Sequence, residues 1–173
     1  MRRILILIFA GAILALAQTA SSPKPNATQI AQQFGPAFHP LSGFPVLTGD
    51  LDKDGAEDAV VVATAENPLL DQAQYHFKVI DPYSSSFGLG DPSITQQFSV
   101  KADVSRYLLI VHNWRAPKAK FVVINFPFDK LSIDRVFVKK KVYPAIRGEE
   151  STGSKSVVYW DGRKWKWKDE GLE

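Results

Sequence analysis

Cysteine is missing altogether, histidine occurs three times, and the single methionine is Met1. Without cysteine there are no disulfide staples, no thiolate zinc or iron–sulfur sites, and no lipid-bearing cysteine at a cleavage site. His39, His76 and His112 lie far apart and form no i,i+4 pair, so the helical zinc motif is absent too. No G-x-S-x-G elbow occurs, and Gly88-Leu89-Gly90 lacks the third glycine of a nucleotide loop. No apolar run reaches the roughly 20 residues of a membrane-spanning helix. Charge of one sign is also scarce: 21 basic residues face 18 acidic ones. Nucleic acid is therefore not expected as a partner.

The chain does begin with an export signal pattern. Arg2 and Arg3 form a basic start, Ile4 to Leu16 is uncharged and nearly all apolar, and Ala15-Leu16-Ala17 offers a small-residue cleavage site. The reading is a signal peptide over residues 1–17, a secreted or periplasmic location, and membrane contact through that segment alone. Its loss would take Arg2 and Arg3, leaving 19 basic against 18 acidic residues, a net of +1. The remaining 156 residues suit one domain with a sizeable core. Residues 18–25 read as a polar, proline-marked linker, and 26–173 as a single β-rich domain.

Within that domain, Asn26 is placed to cap a short helix from Ala27 to about Phe34, stopped by Gly35-Pro36. Strand-like runs follow at 44–47, 59–64, 76–80, 107–112, 121–126, 135–142, 157–160 and 163–167, separated by turn residues. The long connection from Asp81 to Gly90 precedes an Asp91-Pro92 helix start that predicts a second short helix to Phe98. The fold class expected is mainly β: a small antiparallel domain with an N-terminal helix. Its strands could resemble a propeller blade, but the chain is too short for a closed propeller. At the C-terminus, Asp161-Gly162 predicts a two-residue type I′ turn that pairs Trp160 with Arg163 and Val158 with Trp165. Val158, Trp160, Trp165 and Trp167 then share one face, expected to be core rather than a binding surface. Lys139, Lys140 and Lys141, with Lys164, Lys166 and Lys168, fit a solvated face guarded against edge pairing better than a surface for anionic polymers or lipid headgroups.

Residues 49–58 carry the chemistry: Gly-Asp-Leu-Asp-Lys-Asp-Gly-Ala-Glu-Asp. Asp50, Asp52 and Asp54 alternate, Gly55 permits a sharp turn, the Ala56 carbonyl can point inward, and Asp58 can close the site. Calcium takes six to eight oxygens at about 2.3–2.6 Å, and such a loop can wrap around it. Magnesium, with its strict octahedron and retained waters, fits less well. An EF-hand is excluded, because its twelfth position needs glutamate and here is Val61, within a β-rich run.

Strand, Gly-Asp, apolar residue, Asp-x-Asp-Gly-x-x-Asp and a second strand, over residues 44–62, resembles the calcium-binding repeat of FG-GAP and VCBS proteins, including integrin α-subunit propellers. The resemblance implies a metal held by Asp50, Asp52, Asp54, the carbonyl of Ala56, and Asp58. The motif occurs once. The function expected is an exported, calcium-stabilised, non-enzymatic module that binds a protein or a carbohydrate, or serves structurally. The alternative is a secreted hydrolase whose site, for example around His112 and Asp81, sequence spacing does not reveal.

Overall fold

The computed structural model describes residues 25–91 and 106–172. The export signal, most of the linker, and residues 92–98 of the helix expected to open at Asp91-Pro92 lie outside the described residues. In chain order the elements are α1 (Ala27–Gln32), β1 (His39–Pro40), β2 (Leu47–Gly49), β3 (Asp58–Thr64), α2 (Gln72–Tyr75), β4 (Lys78–Ile80), α3 (Pro82–Ser86), β5 (Tyr107–His112), β6 (Ala119–Val123), β7 (Lys130–Val138), β8 (Lys141–Glu149), β9 (Ser154–Trp160) and β10 (Trp165–Leu172). The protein is mainly β, built of two packed sheets, with no closed barrel or propeller among the described residues.

The first sheet runs β1-β3-β5-β6-β4, and β2 also pairs with β3. β1 and β2 follow one another along the same edge of β3, opposite Ala63–Thr64 and Asp58–Val60 respectively. Every pairing is antiparallel except β4 with β6. The second sheet is an antiparallel meander, β10-β9-β8-β7.

The unbroken apolar runs of β3 and β5 have a simple cause: both faces of the first sheet are covered, so no polar alternation is needed. Ala59, Val61, Leu109, Val111 and Val122 face α1, where Ile30, Ala31 and Phe34 pack on them. Val60, Val62, Leu108, Ile110 and Val123 face the second sheet and meet Ile146, Val158 and Trp165. Burying each such large apolar side chain contributes roughly 1.5–3 kcal/mol. α1 begins as its sequence predicts, with Asn26 Oδ1 accepting the Thr28 N–H at 2.8 Å.

Some local expectations are corrected. The run 135–142 is two strands, because Lys139 and Lys140 turn the chain with φ of 45° and 67°. The strand expected over 44–47 begins only at Leu47, and the one expected over 121–126 is Ala119–Val123. The 81–90 connection contains α3, capped by Asp81, whose Oδ1 accepts the Ser84 N–H at 2.8 Å. The C-terminal hairpin pairs Trp165 with Trp160 and Trp167 with Val158, two residues from the register expected. Asp161 Oδ1 accepts N–H bonds from both Arg163 and Lys164 at 2.9 Å, drawing 161–164 into a wider turn. A shift of two preserves strand parity, so the tryptophan face still points into the inter-sheet core and Trp165 is only 4% exposed.

Candidate metal centre

The acidic loop connects β2 to β3 across a tight antiparallel pairing, Gly49 opposite Asp58. That pairing brings the two ends of the loop together and forces its middle to fold back. Lys53 and Gly55 take the left-handed backbone this requires, with φ of 63° and 86°. Short side-chain bonds fix the curl. Asp54 N–H donates to Asp50 Oδ1 and Asp52 Oδ1 at 3.1 Å, Gly55 N–H to Asp50 Oδ2 at 3.1 Å, and Ala56 N–H to Asp54 Oδ1 at 2.8 Å. Aspartate favours such loops because its carboxylate reaches its own backbone two residues on.

Asp50, Asp52 and Asp58 each offer a carboxylate oxygen, and these lie within 4.8 Å of one another, a group that could hold a metal ion. Asp50 is exposed, Asp52 half-buried and Asp58 fully buried. Burial pushes the Asp58 carboxyl up from its ordinary value, opposed by N–H bonds from Asn113 and Leu51, each 2.8 Å long. The neighbouring Asp52 charge raises it further. A cation at this point would remove that conflict.

Asp54 belongs to a different set. Its Oδ2 takes a hydrogen bond from Lys118 Nζ, and this bond, with the Ala56 N–H, holds its carboxyl below the usual range. Ala56 lies in the loop as expected, joined through its N–H to Asp54.

The turn between β5 and β6 supplies partners that spacing along the sequence did not reveal. His112 is buried, with Nδ1 3.1 Å from Asp52 Oδ2. Its ring is backed by Phe121, Trp160 and Trp165 at centroid distances of 5.3–5.7 Å. This packing fixes the imidazole and, through it, the Asp52 carboxylate, a role often played by the second layer around a metal. Asn113 bonds Asp58. Trp114 Nε1 and Arg115 Nη1 both reach Glu57 Oε2 at 3.0 Å, and the Trp114 bond leads in lowering the Glu57 carboxyl. The only cue in the sequence is that an apolar strand ends in His-Asn-Trp-Arg with Lys118 close behind, a turn rich in donors.

His112 and Asp81, named together as possible hydrolase residues, have separate partners. Asp81 Oδ2 accepts from Ser84 Oγ and Asn125 Nδ2 at 2.6 Å, whereas His112 faces Asp52. No protein-family model, curated protein or solved structure matches the chain.

Proposed function

We propose that the protein is an exported, non-enzymatic binding or structural module whose 50–58 loop is tied by a calcium ion. The observation that carries the cation is the convergence of Asp50, Asp52 and Asp58 oxygens within 4.8 Å at the mouth of a strand–loop–strand unit. Calcium is favoured over magnesium because an all-oxygen loop with flexible carboxylates suits its larger and looser coordination sphere. On the FG-GAP and VCBS resemblance, Asp54 and the Ala56 carbonyl complete the ligand set, with Asp54 released from Lys118. Export rests on Arg2-Arg3, the apolar 4–16 run and the Ala15-x-Ala17 exit. The partner class is protein or carbohydrate.

Calorimetric titration with calcium tests the site. The expected dissociation constant is about 10⁻⁴ to 10⁻³ M or tighter, as in extracellular modules. The melting temperature should rise with calcium and fall with chelator, while magnesium does much less. Export has its own test: protein from the extracytoplasmic fraction should begin at or near Gln18, and intact Met1 in a membrane pellet would overturn it.

A second reading is favoured by the 112–118 turn. Asp52 meets His112, Asp54 meets Lys118, and Asp58 meets Asn113 N–H. On that reading the loop is a self-satisfied clasp between two turns of the first sheet. No heat of calcium binding and a melting curve blind to chelator would select it.

A further inference from the structure

One end of the second sheet gathers cations that the acidic loop does not use. β8 and β10 both run antiparallel to β9, so they start at the same end. The turns that precede them, Lys139-Lys140 and 161–164, therefore project from that end together. Lys139, Lys140, Lys141, Arg163, Lys164 and Lys166 are concentrated there, and none forms an ion pair among the described residues. Lys164 and Lys139 are both near enough to Lys166 to disfavour its charge, after burial as the larger cause. Asp161 offsets them in part, since its charge favours that of Lys166 while its Oδ1 accepts the Arg163 and Lys164 N–H groups of its own turn.

Two further observations concern the β7–β8 tip. Phe137 and Val142 pair directly across the hairpin and are 68% and 39% exposed. They lie on the same strand faces as Ile133 and Ile146, which are packed in the inter-sheet core. The tip thus extends its apolar face into solvent. The turn itself places lysine at both left-handed positions, φ 45° and 67°, where asparagine and glycine are the relaxed choices. Charge sits there against backbone preference.

We propose that this end of the second sheet docks on an anionic lipid bilayer, with the lysines at the headgroups and Phe137 and Val142 in the interfacial layer. A hydrated polyanion would satisfy the lysines but give the apolar pair no partner. A bilayer takes both, because the headgroup–acyl boundary accepts apolar side chains while its negative surface attracts the cations. This contact is separate from any made by the N-terminal apolar segment.

The absence of cysteine makes a site-specific test possible. In the full chain, Val142→Cys is labelled with an environment-sensitive fluorophore, and Thr152→Cys, in the turn at the other end of the sheet, is labelled as reference. Vesicles of phosphatidylcholine alone are compared with vesicles containing phosphatidylglycerol, in calcium and in chelator, because Lys53 of the acidic loop bonds the Val142 carbonyl. The label at 142 should shift to the blue and become shielded from an aqueous quencher on anionic vesicles only, while the label at 152 stays accessible. Replacing Lys139, Lys140 and Lys141 with Gln should weaken this shielding about a hundredfold in lipid concentration. Salt at about 0.5 M should abolish it. The proposal is overturned if the label at 142 remains accessible while the chain sediments with vesicles. Equal shielding by neutral vesicles overturns it as well. Equal shielding by a soluble polyanion would assign the surface to that class of partner instead. Each outcome is read in chelator as well as in calcium, so failure of the docking surface is distinguishable from failure of the calcium site.

Discussion

On the calcium reading Asp58 would have two duties, and substitutions at other positions are needed to separate them. It is fully buried and accepts N–H bonds from Leu51 and Asn113. Asp58→Ala should therefore abolish the calcium response and also destabilise the metal-free chain, by about 1–3 kcal/mol for each N–H left without an acceptor. Asp50 is exposed, so Asp50→Asn should blunt the response and lower metal-free stability by only about 0.5–1.5 kcal/mol, for the one loop N–H bond its amide cannot accept. Melting curves of both variants, with calcium and with chelator, check this. Lys118 pairs with Asp54, where it would compete with a cation, and lies close enough to feel the charges of Asp52 and Asp58. Lys118→Met should tighten calcium binding by calorimetry; an unchanged or weaker affinity would count against a cation among these carboxylates. Trp165 was legible as a core residue from strand alternation, and its 4% exposure agrees. Trp165→Ala should cost about 3–5 kcal/mol in denaturant unfolding.

The elements differ in how much of their geometry was local. β5 was legible from Tyr107 to His112, because an unbroken apolar run between polar turns has few other uses. The 135–142 run misled, because Val138 and Val142 flank a turn made of lysines, residues with no turn signature. That turn carries a prediction: Lys139→Asn with Lys140→Gly should raise stability by about 1–2 kcal/mol, the relief of left-handed strain at non-glycine residues. If the hairpin end docks on membranes, the same variant should bind anionic vesicles more weakly, so stability and docking should move in opposite directions. The link from β6 into β7 predicts a pH effect. Asp129 accepts the Ser151 N–H at 2.8 Å and meets Arg106, and the Ser151 bond is the larger cause of its lowered carboxyl. A lowered folded-state value means this stabilisation is complete above the unfolded value, near 3.8, and is lost as pH falls through the folded one. Asp129→Asn should flatten the acid limb of stability against pH, measured by denaturant midpoints.

For the whole molecule, a metal at the loop would link two regions of the first sheet. The 50–58 loop opens β3, and the 112–118 turn that grips it closes β5, the next strand in the sheet. Only the folded chain holds these groups together, so a calcium excess of a hundred times Kd should stabilise folding by about 2.7 kcal/mol. The effect should appear as a shift of the denaturation midpoint with no change in slope.

The sequence alone determined what depends on short spacing: the acidic loop and its alternating carboxylates, the Asn26 cap, the parity of the tryptophan hairpin and the mainly-β class. Parity survived even where the register was read two residues away, because Asp161 changed the turn length by an even number. Tertiary structure decided what depends on residues far apart. It split the carboxylates into Asp50, Asp52 and Asp58 on one side and Asp54 with Lys118 on the other. It set His112 behind Asp52 and brought two lysine-rich turns to one end of a sheet. Periodicity reports which face a side chain takes within its own strand. Which strands become neighbours follows from sheet order, and no local pattern encodes that.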